Sequence, residues 1–167
     1  EVLIKVRDPN NIPSDGLSGY SITDPSNNLT LTDSSISISG SDINSYGRVY
    51  KNLELSNYKK VIYQFDFNLS ECSRGQGGVS WGNKADVSRD SSIEYAGLNF
   101  TGNPKILYLS NSDGGSNKLS EYSANKNYKI QLIWNLDKSE LQGELFDSNN
   151  NSQGTGSVPL PEISYKY

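Results

Sequence analysis

From Tyr58 to Ser70 the chain reads YKKVIYQFDFNLS, and apolar and polar side chains alternate almost without a break. Val61, Tyr63, Phe65, Phe67 and Leu69 fall on one side, with Gln64, Asp66 and Asn68 on the other. A period of two marks a strand with one buried and one wet face, so the pattern predicts a strand over 60–70. Its wet side carries an amide, a carboxylate and a second amide, groups suited to hydrogen-bonding hydroxyl-rich ligands. Shorter runs of the same kind predict strands over 2–7, 29–32, 36–39, 47–53, 78–82, 93–101, 105–110, 128–136 and 141–147. No segment sustains the period of a helix; 83–91 reads as either a long loop or a single helical turn.

The breaks have their own chemistry. Residues 8–16, DPNNIPSDG, cannot continue a ladder, because two prolines and an Asp-Gly pair interrupt it. Asn111-Ser112-Asp113-Gly114-Gly115 reads as a turn, and Asp137-Lys138-Ser139-Glu140 as a hairpin loop between two alternating runs. In that hairpin Tyr128, Ile130, Leu132, Trp134 and Leu136 share a face, which assigns Trp134 to the core. The stretch DSNNNSQGTG, 147–156, reads as a low-complexity loop. No repeat or linker divides the chain, so the expectation is one all-β domain over 1–167, a two-sheet antiparallel β-sandwich.

Composition narrows the function classes. Only 34% of the 167 residues are hydrophobic, but they are concentrated in the alternating runs, and 10% of the chain is aromatic, which argues against disorder. A net charge of −4 with scattered lysines argues against nucleic acid as a partner. No apolar stretch is long enough to span a bilayer as a helix, and no membrane partner is expected. The chain contains no histidine, which removes His-based triads, bases and metal ligands together. Cys72 is the single cysteine, with Arg74 nearby; lacking a histidine to activate it, it reads as a bystander thiol. The chain starts at Glu1 and shows no signal-like segment, so it reads as a mature or excised module. Its Ser/Asn/Gly/Thr-rich loops and acidic balance suggest a secreted or cell-surface bacterial protein, hence an extracellular location.

From about Ser34 onward the order of elements resembles the concanavalin A-like lectin/glucanase superfamily. The carriers are SISISG at 35–40, GRVYKNLEL at 47–55, VIYQFDFNLS at 61–70, YAGLNF at 95–100, KILYL at 105–109 and YKIQLIWNLDKSELQGELFDSN at 128–149. The resemblance implies a jelly-roll sandwich of the kind found in laminin-G-like domains and carbohydrate-binding modules. Laminarinase-like members carry a Glu-x-Asp-x-(x)-Glu arrangement on one strand, since retaining glycoside hydrolysis needs two carboxylates about 5 Å apart. That triplet is missing here, where Asp66 is flanked by Gln64 and Asn68. The non-catalytic branch is therefore expected, with no catalytic residues and no required cofactor. The implied role is a carbohydrate-binding module of a secreted bacterial polysaccharide-degrading enzyme, with plant cell-wall glycan as ligand.

Within that reading Gln64, Asp66 and Asn68 form the hydrogen-bonding face, and neighbouring strands are expected to add Arg48 and Tyr50, or Trp81, Tyr95 and Tyr108. Trp81, in the Gly-flanked segment GGVSWGN, is the leading stacking platform, with burial in the core as the competing reading. Arg48 and Arg74 are candidate partners for the carboxylates of an acidic polysaccharide such as pectin. Asp113 and Asp147 are candidate oxygen ligands for a structural calcium ion, set against ordinary Asp/Asn turn chemistry. Two alternatives accompany this reading. One is an adhesive or structural domain of a surface adhesin or viral tail fibre. The other is a carboxylate-only glycoside hydrolase or lyase, for example pairing Asp66 with Glu94.

Overall fold

A computed structural model describes residues 5–7, 21–24, 27, 29–32, 35–38, 48–50, 59–70, 76–83 and 95–162. Its strands are β1 (Lys5–Arg7), β2 (Ser21–Thr23), β3 (Leu29–Thr32), β4 (Ser35–Ile38), β5 (Arg48–Tyr50), β6 (Lys60–Asn68) and β7 (Gln76–Gly82). They continue with β8 (Tyr95–Gly102), β9 (Lys105–Asn111), β10 (Ser116–Glu121), β11 (Asn127–Asn135), β12 (Glu140–Asp147) and β13 (Ser152–Pro159). Among the described residues there is no helix. Two larger antiparallel sheets dominate, one ordered β1-β6-β11-β12-β13 and the other β10-β9-β8-β7. The pairs β2-β5 and β3-β4 form two smaller sheets.

The alternation in the sequence sets the core. Along β6 and the residue after it, Phe65, Phe67 and Leu69 are buried, as the period of two requires. The register of β6 on β11 brings Phe65 opposite Ile130 and Tyr63 opposite Leu132. The β11-β12 hairpin then sets Ile130 against Leu145 and Trp134 against Leu141. Leu98 of β8 and Leu107 and Leu109 of β9 belong to the same buried cluster, so the two sheets share one core. Six of its side chains, Leu107, Leu109, Ile130, Leu132, Leu141 and Leu145, are almost fully shielded from water. Trp134 adds a directional link, since its indole Nε1 donates to the backbone oxygen of Ala96 in the other sheet at 3.1 Å.

Three strands, β2, β10 and β13, were not among those expected from the sequence. The stretch read as a loop from Asp147 to Gly156 contains most of β13, and β10 was not expected at all. Neither alternates cleanly, because both are edge strands whose inward positions are filled by few apolar side chains and by backbone. Gly154 shows why: a Cβ there would stand 2.1 Å from the Leu119 carbonyl oxygen of β10. The strands touch through main chain where a side chain would otherwise pack, so hydrophobic periodicity cannot reveal them. Side chains complete the seam, with Asn117 Nδ2 donating to Ser157 O at 3.1 Å and Ser120 Oγ to Gln153 O at 3.3 Å. Residues 8–16 and 84–91 lie outside the described residues.

This division into inner and outer positions predicts unequal costs of truncation. Leu132→Ala is expected to destabilise by ~2–5 kcal/mol, as buried leucines do, whereas the outward-facing Gln131→Ala should stay within about 0.5 kcal/mol. Gly154→Ala should cost about 1–3 kcal/mol by forcing the β10-β13 seam apart. Urea unfolding of the three variants checks the order; equal effects at positions 131 and 132 would contradict the assigned faces.

Candidate binding groove

Turning one face of β6, β11 and β12 inward turns the intervening residues outward, and their register aligns them into rows. One row runs Gln64, Gln131, Glu144, Thr155 across β6, β11, β12 and β13. The next runs Ile62, Ile133, Gln142, Ser157. Between them, over β11 to β13, lies a shallow open groove of about 430 Å³, lined by the last three members of each row. Gly143 and Gly156, directly paired across β12 and β13, form part of its floor, and Asn117 of β10 closes it at the sheet edge. Gly156 makes room for that closure, because a Cβ there would approach Asn117 Oδ1 to 3.1 Å.

The lining combines planar amides, hydroxyls, one carboxylate and one aliphatic side chain. Gln142 Nε2 donates to Glu140 Oε2 at 2.7 Å, which fixes that amide against the sheet. Gln131 and Glu144 are half-buried, so their polar ends are held on rigid strands instead of swinging from loops. Ile133 adds an apolar contact, continued outside the groove by the exposed Ile62. Such a surface can exchange hydrogen bonds with several hydroxyls while resting an apolar face on the isoleucine.

The residues singled out from sequence fall in three places. Gln64, Asp66 and Asn68 do share the outer face of β6. Gln64 pairs with Gln131 of the groove, Asp66 stands opposite Lys129, and Asn68 Nδ2 donates to Asn127 Oδ1 at 2.9 Å. The strands flanking β6 are β1 and β11, while β5, β7, β8 and β9, expected to add to its face, belong to other sheets. Of the two readings of Trp81, stacking platform or core, the structure shows the core: it is only 4% exposed and meets Trp134 edge-on at 6.0 Å between ring centroids. Its strand partner is Ala96, whose small side chain leaves volume for both indoles, so burial wins over the flanking glycines. Tyr95 and Tyr108 are half-buried and belong to the four-stranded sheet, where Tyr108 alternates with the buried Leu107 and Leu109 and so faces away from the core. Tyr50 lies in β5, paired with Ser21, in a separate small sheet; Arg48 stands there opposite Thr23. Arg74, Cys72 and Glu94 lie outside the described residues.

Sequence reasoning missed Gln131, Ile133, Gln142 and Glu144, although the alternation of 128–136 and 141–147 already marks them as outward positions. Asn117, Thr155 and Ser157 gave no signal, because their strands were not recognised. Compared with known families and curated proteins, this all-β chain with a polar sheet groove matches no family model and no curated protein.

The two aspartates considered for calcium behave differently from each other. Asp113 is exposed in the β9-β10 turn. Asp147 organises the β12-β13 turn: its Oδ1 accepts the backbone N–H of Asn149 at 2.8 Å and of Asn151 at 2.9 Å. Its Oδ2 accepts the side-chain amides of Asn151 and Gln153, each at 3.2 Å. The Asn151 backbone bond, followed by that of its side chain, lowers the Asp147 pKa below the usual carboxylate value. These bonds belong to the ionised form, so their stabilisation is present above the ordinary carboxylate pKa and is lost as pH falls through the depressed value. An NMR titration should place the Asp147 midpoint below the ordinary aspartate value, with the Asn149 and Asn151 amides shifting at the same midpoint. A midpoint at or above the ordinary value would contradict the clamp.

Proposed function

We propose that this chain is a jelly-roll sandwich acting as a non-catalytic carbohydrate-binding module, and that its groove holds plant cell-wall glycan presented outside the cell. The observation that carries the reading is the open, rigid groove whose amides, hydroxyls and carboxylate converge beside an aliphatic patch. Sugars need that combination, since their hydroxyls seek planar hydrogen-bonding groups and their C–H faces seek apolar or aromatic surface. Phe146 supports it further. By register it stands opposite the outward Lys129, two residues from Glu144, and supplies an aromatic ring on this face. The openness of the groove suits an internal segment of a long polymer.

The carboxylates of the same face favour binding over hydrolysis. Asp66, Glu140 and Glu144 share it, with Asp66 two strands and two residues from Glu144 and Glu140 four residues from Glu144 along β12, so no two of them are adjacent in register. Glycoside hydrolases instead bring a pair of carboxyl groups to roughly 5–9.5 Å across the scissile bond. No turnover is expected from this face.

Affinity electrophoresis against soluble plant polysaccharides, run with and without calcium, tests the proposal. At least one polymer should retard the protein, and Gln131→Ala and Gln142→Ala should each weaken retardation by about tenfold, the worth of one well-made hydrogen bond. Trp81→Ala should instead cost ~3–5 kcal/mol of stability, as large buried rings do. Failure of every polymer to retard the folded protein would move the assignment to an adhesive or structural domain.

A further inference from the structure

We infer that the groove selects uncharged polysaccharide and rejects uronic-acid polymers, with Glu144 as the discriminating residue; this rests on the binding reading above. Glu144 sits at the centre of the lining, and its direct cross-strand neighbours, Gln131 and Thr155, are both uncharged. The ion pairs among the described residues, Lys59 with Asp137 and Lys118 with Glu121, leave Glu144 out. Every other side chain lining the groove is neutral, so the carboxylate contributes the only charge of the lining.

The basic positions of the same face stand apart from Glu144 in register. Lys129 is a diagonal neighbour of Glu144 across the β11-β12 ladder, but its ammonium donates to Asn150 Oδ1, at the end of the sheet beyond Phe146. Lys60 is exposed and stands opposite Asn135, beyond Ile62. The basic positions of β1, Lys5 and Arg7, fall opposite Asp66 and Gln64, three strands from Glu144 and so ~14 Å away across the sheet.

A neutral sugar in the groove therefore meets an acceptor that strengthens hydrogen bonds from its hydroxyls, since bonds to an ionised carboxylate are the stronger kind. A uronate in the same place brings a second carboxylate against Glu144, with no cation among the lining residues to separate them. Rejection by an unpaired like charge is an economical source of specificity. Of the two arginines considered from sequence for an acidic polymer, Arg48 belongs to the small β2-β5 sheet and Arg74 lies outside the described residues.

The test compares a soluble β-glucan and a galactomannan with polygalacturonate, using wild type, Glu144→Gln and Glu144→Lys, each checked for an unchanged thermal melt. Wild type should be retarded by a neutral polymer and pass freely through polygalacturonate. Glu144→Gln should bind the neutral polymer up to about tenfold more weakly, and Glu144→Lys should gain retardation by polygalacturonate that fades with added salt. Wild-type binding to polygalacturonate at least as tight as to the neutral polymers, weakened by Gln131→Ala, would overturn the inference and leave the binding reading standing. Neutral-polymer binding unchanged in both Glu144 variants would also overturn it. Binding to neither class by the folded protein would bring down the binding reading, and this inference with it.

Discussion

The contact between Leu107 and Leu109 on one sheet and Ile130, Leu132, Leu141 and Leu145 on the other is the constraint on which everything else depends. These six side chains are almost wholly removed from water, and burying each is worth roughly 1.5–3 kcal/mol relative to leaving it exposed. Because strand side chains alternate, fixing this inner set fixes the outer set at once. A one-residue slip of β11 on β6 would expose Ile130 and Leu132 and bury Gln131. The groove's positions are thus held by hydrophobic packing on the opposite side of the same backbone.

The second requirement is a seam that joins the sheets where apolar side chains run out. At the β10-β13 edge the chains approach through Gly154 and through side-chain bonds to main-chain oxygens. Asn111, only 6% exposed, secures the end of this seam. Its Nδ2 donates to Pro159 O at 2.8 Å while its Oδ1 accepts the Gly115 N–H at 2.7 Å. A buried amide is costly unless its bonds are made, and here donor and acceptor each have a partner. The same geometry brings Asn117 to the mouth of the groove, so the seam and the groove share Asn117 and Ser157.

The groove follows from these two features with little further specialisation. Its hydrogen-bonding groups stand on paired strands, so little ordering remains to be done on binding. On the reading proposed above, affinity comes from several modest polar contacts and one apolar surface, in keeping with an open groove. The turn at Asp147 works separately from this surface: its carboxylate closes the β12-β13 connection and holds the strand that carries Thr155 and Ser157 in register with β12.

The strands β6, β11 and β12 and the inward placement of Trp134 were legible in the sequence, because the period of two is a local property that survives wherever one face is buried. The outward set Gln64, Asp66 and Asn68 was legible for the same reason. Strand partners were not: β6 lies beside β11, some sixty residues away in sequence, and no local pattern records which alternating run a strand will pair with. That is why Tyr95, Tyr108, Tyr50 and Arg48 were gathered around β6 although they belong to other sheets. It is also why Trp81 was left open between a stacking platform and the core, since its burial depends on Ala96 and Trp134, residues brought to it only by pairing and by the shared core. The edge strands β10 and β13 escaped because glycine and backbone do there what side chains do elsewhere. The sequence alone determined which residues of its strongest strands face water; only tertiary structure decided which of them meet, because pairing is settled by long-range burial and by close backbone approach.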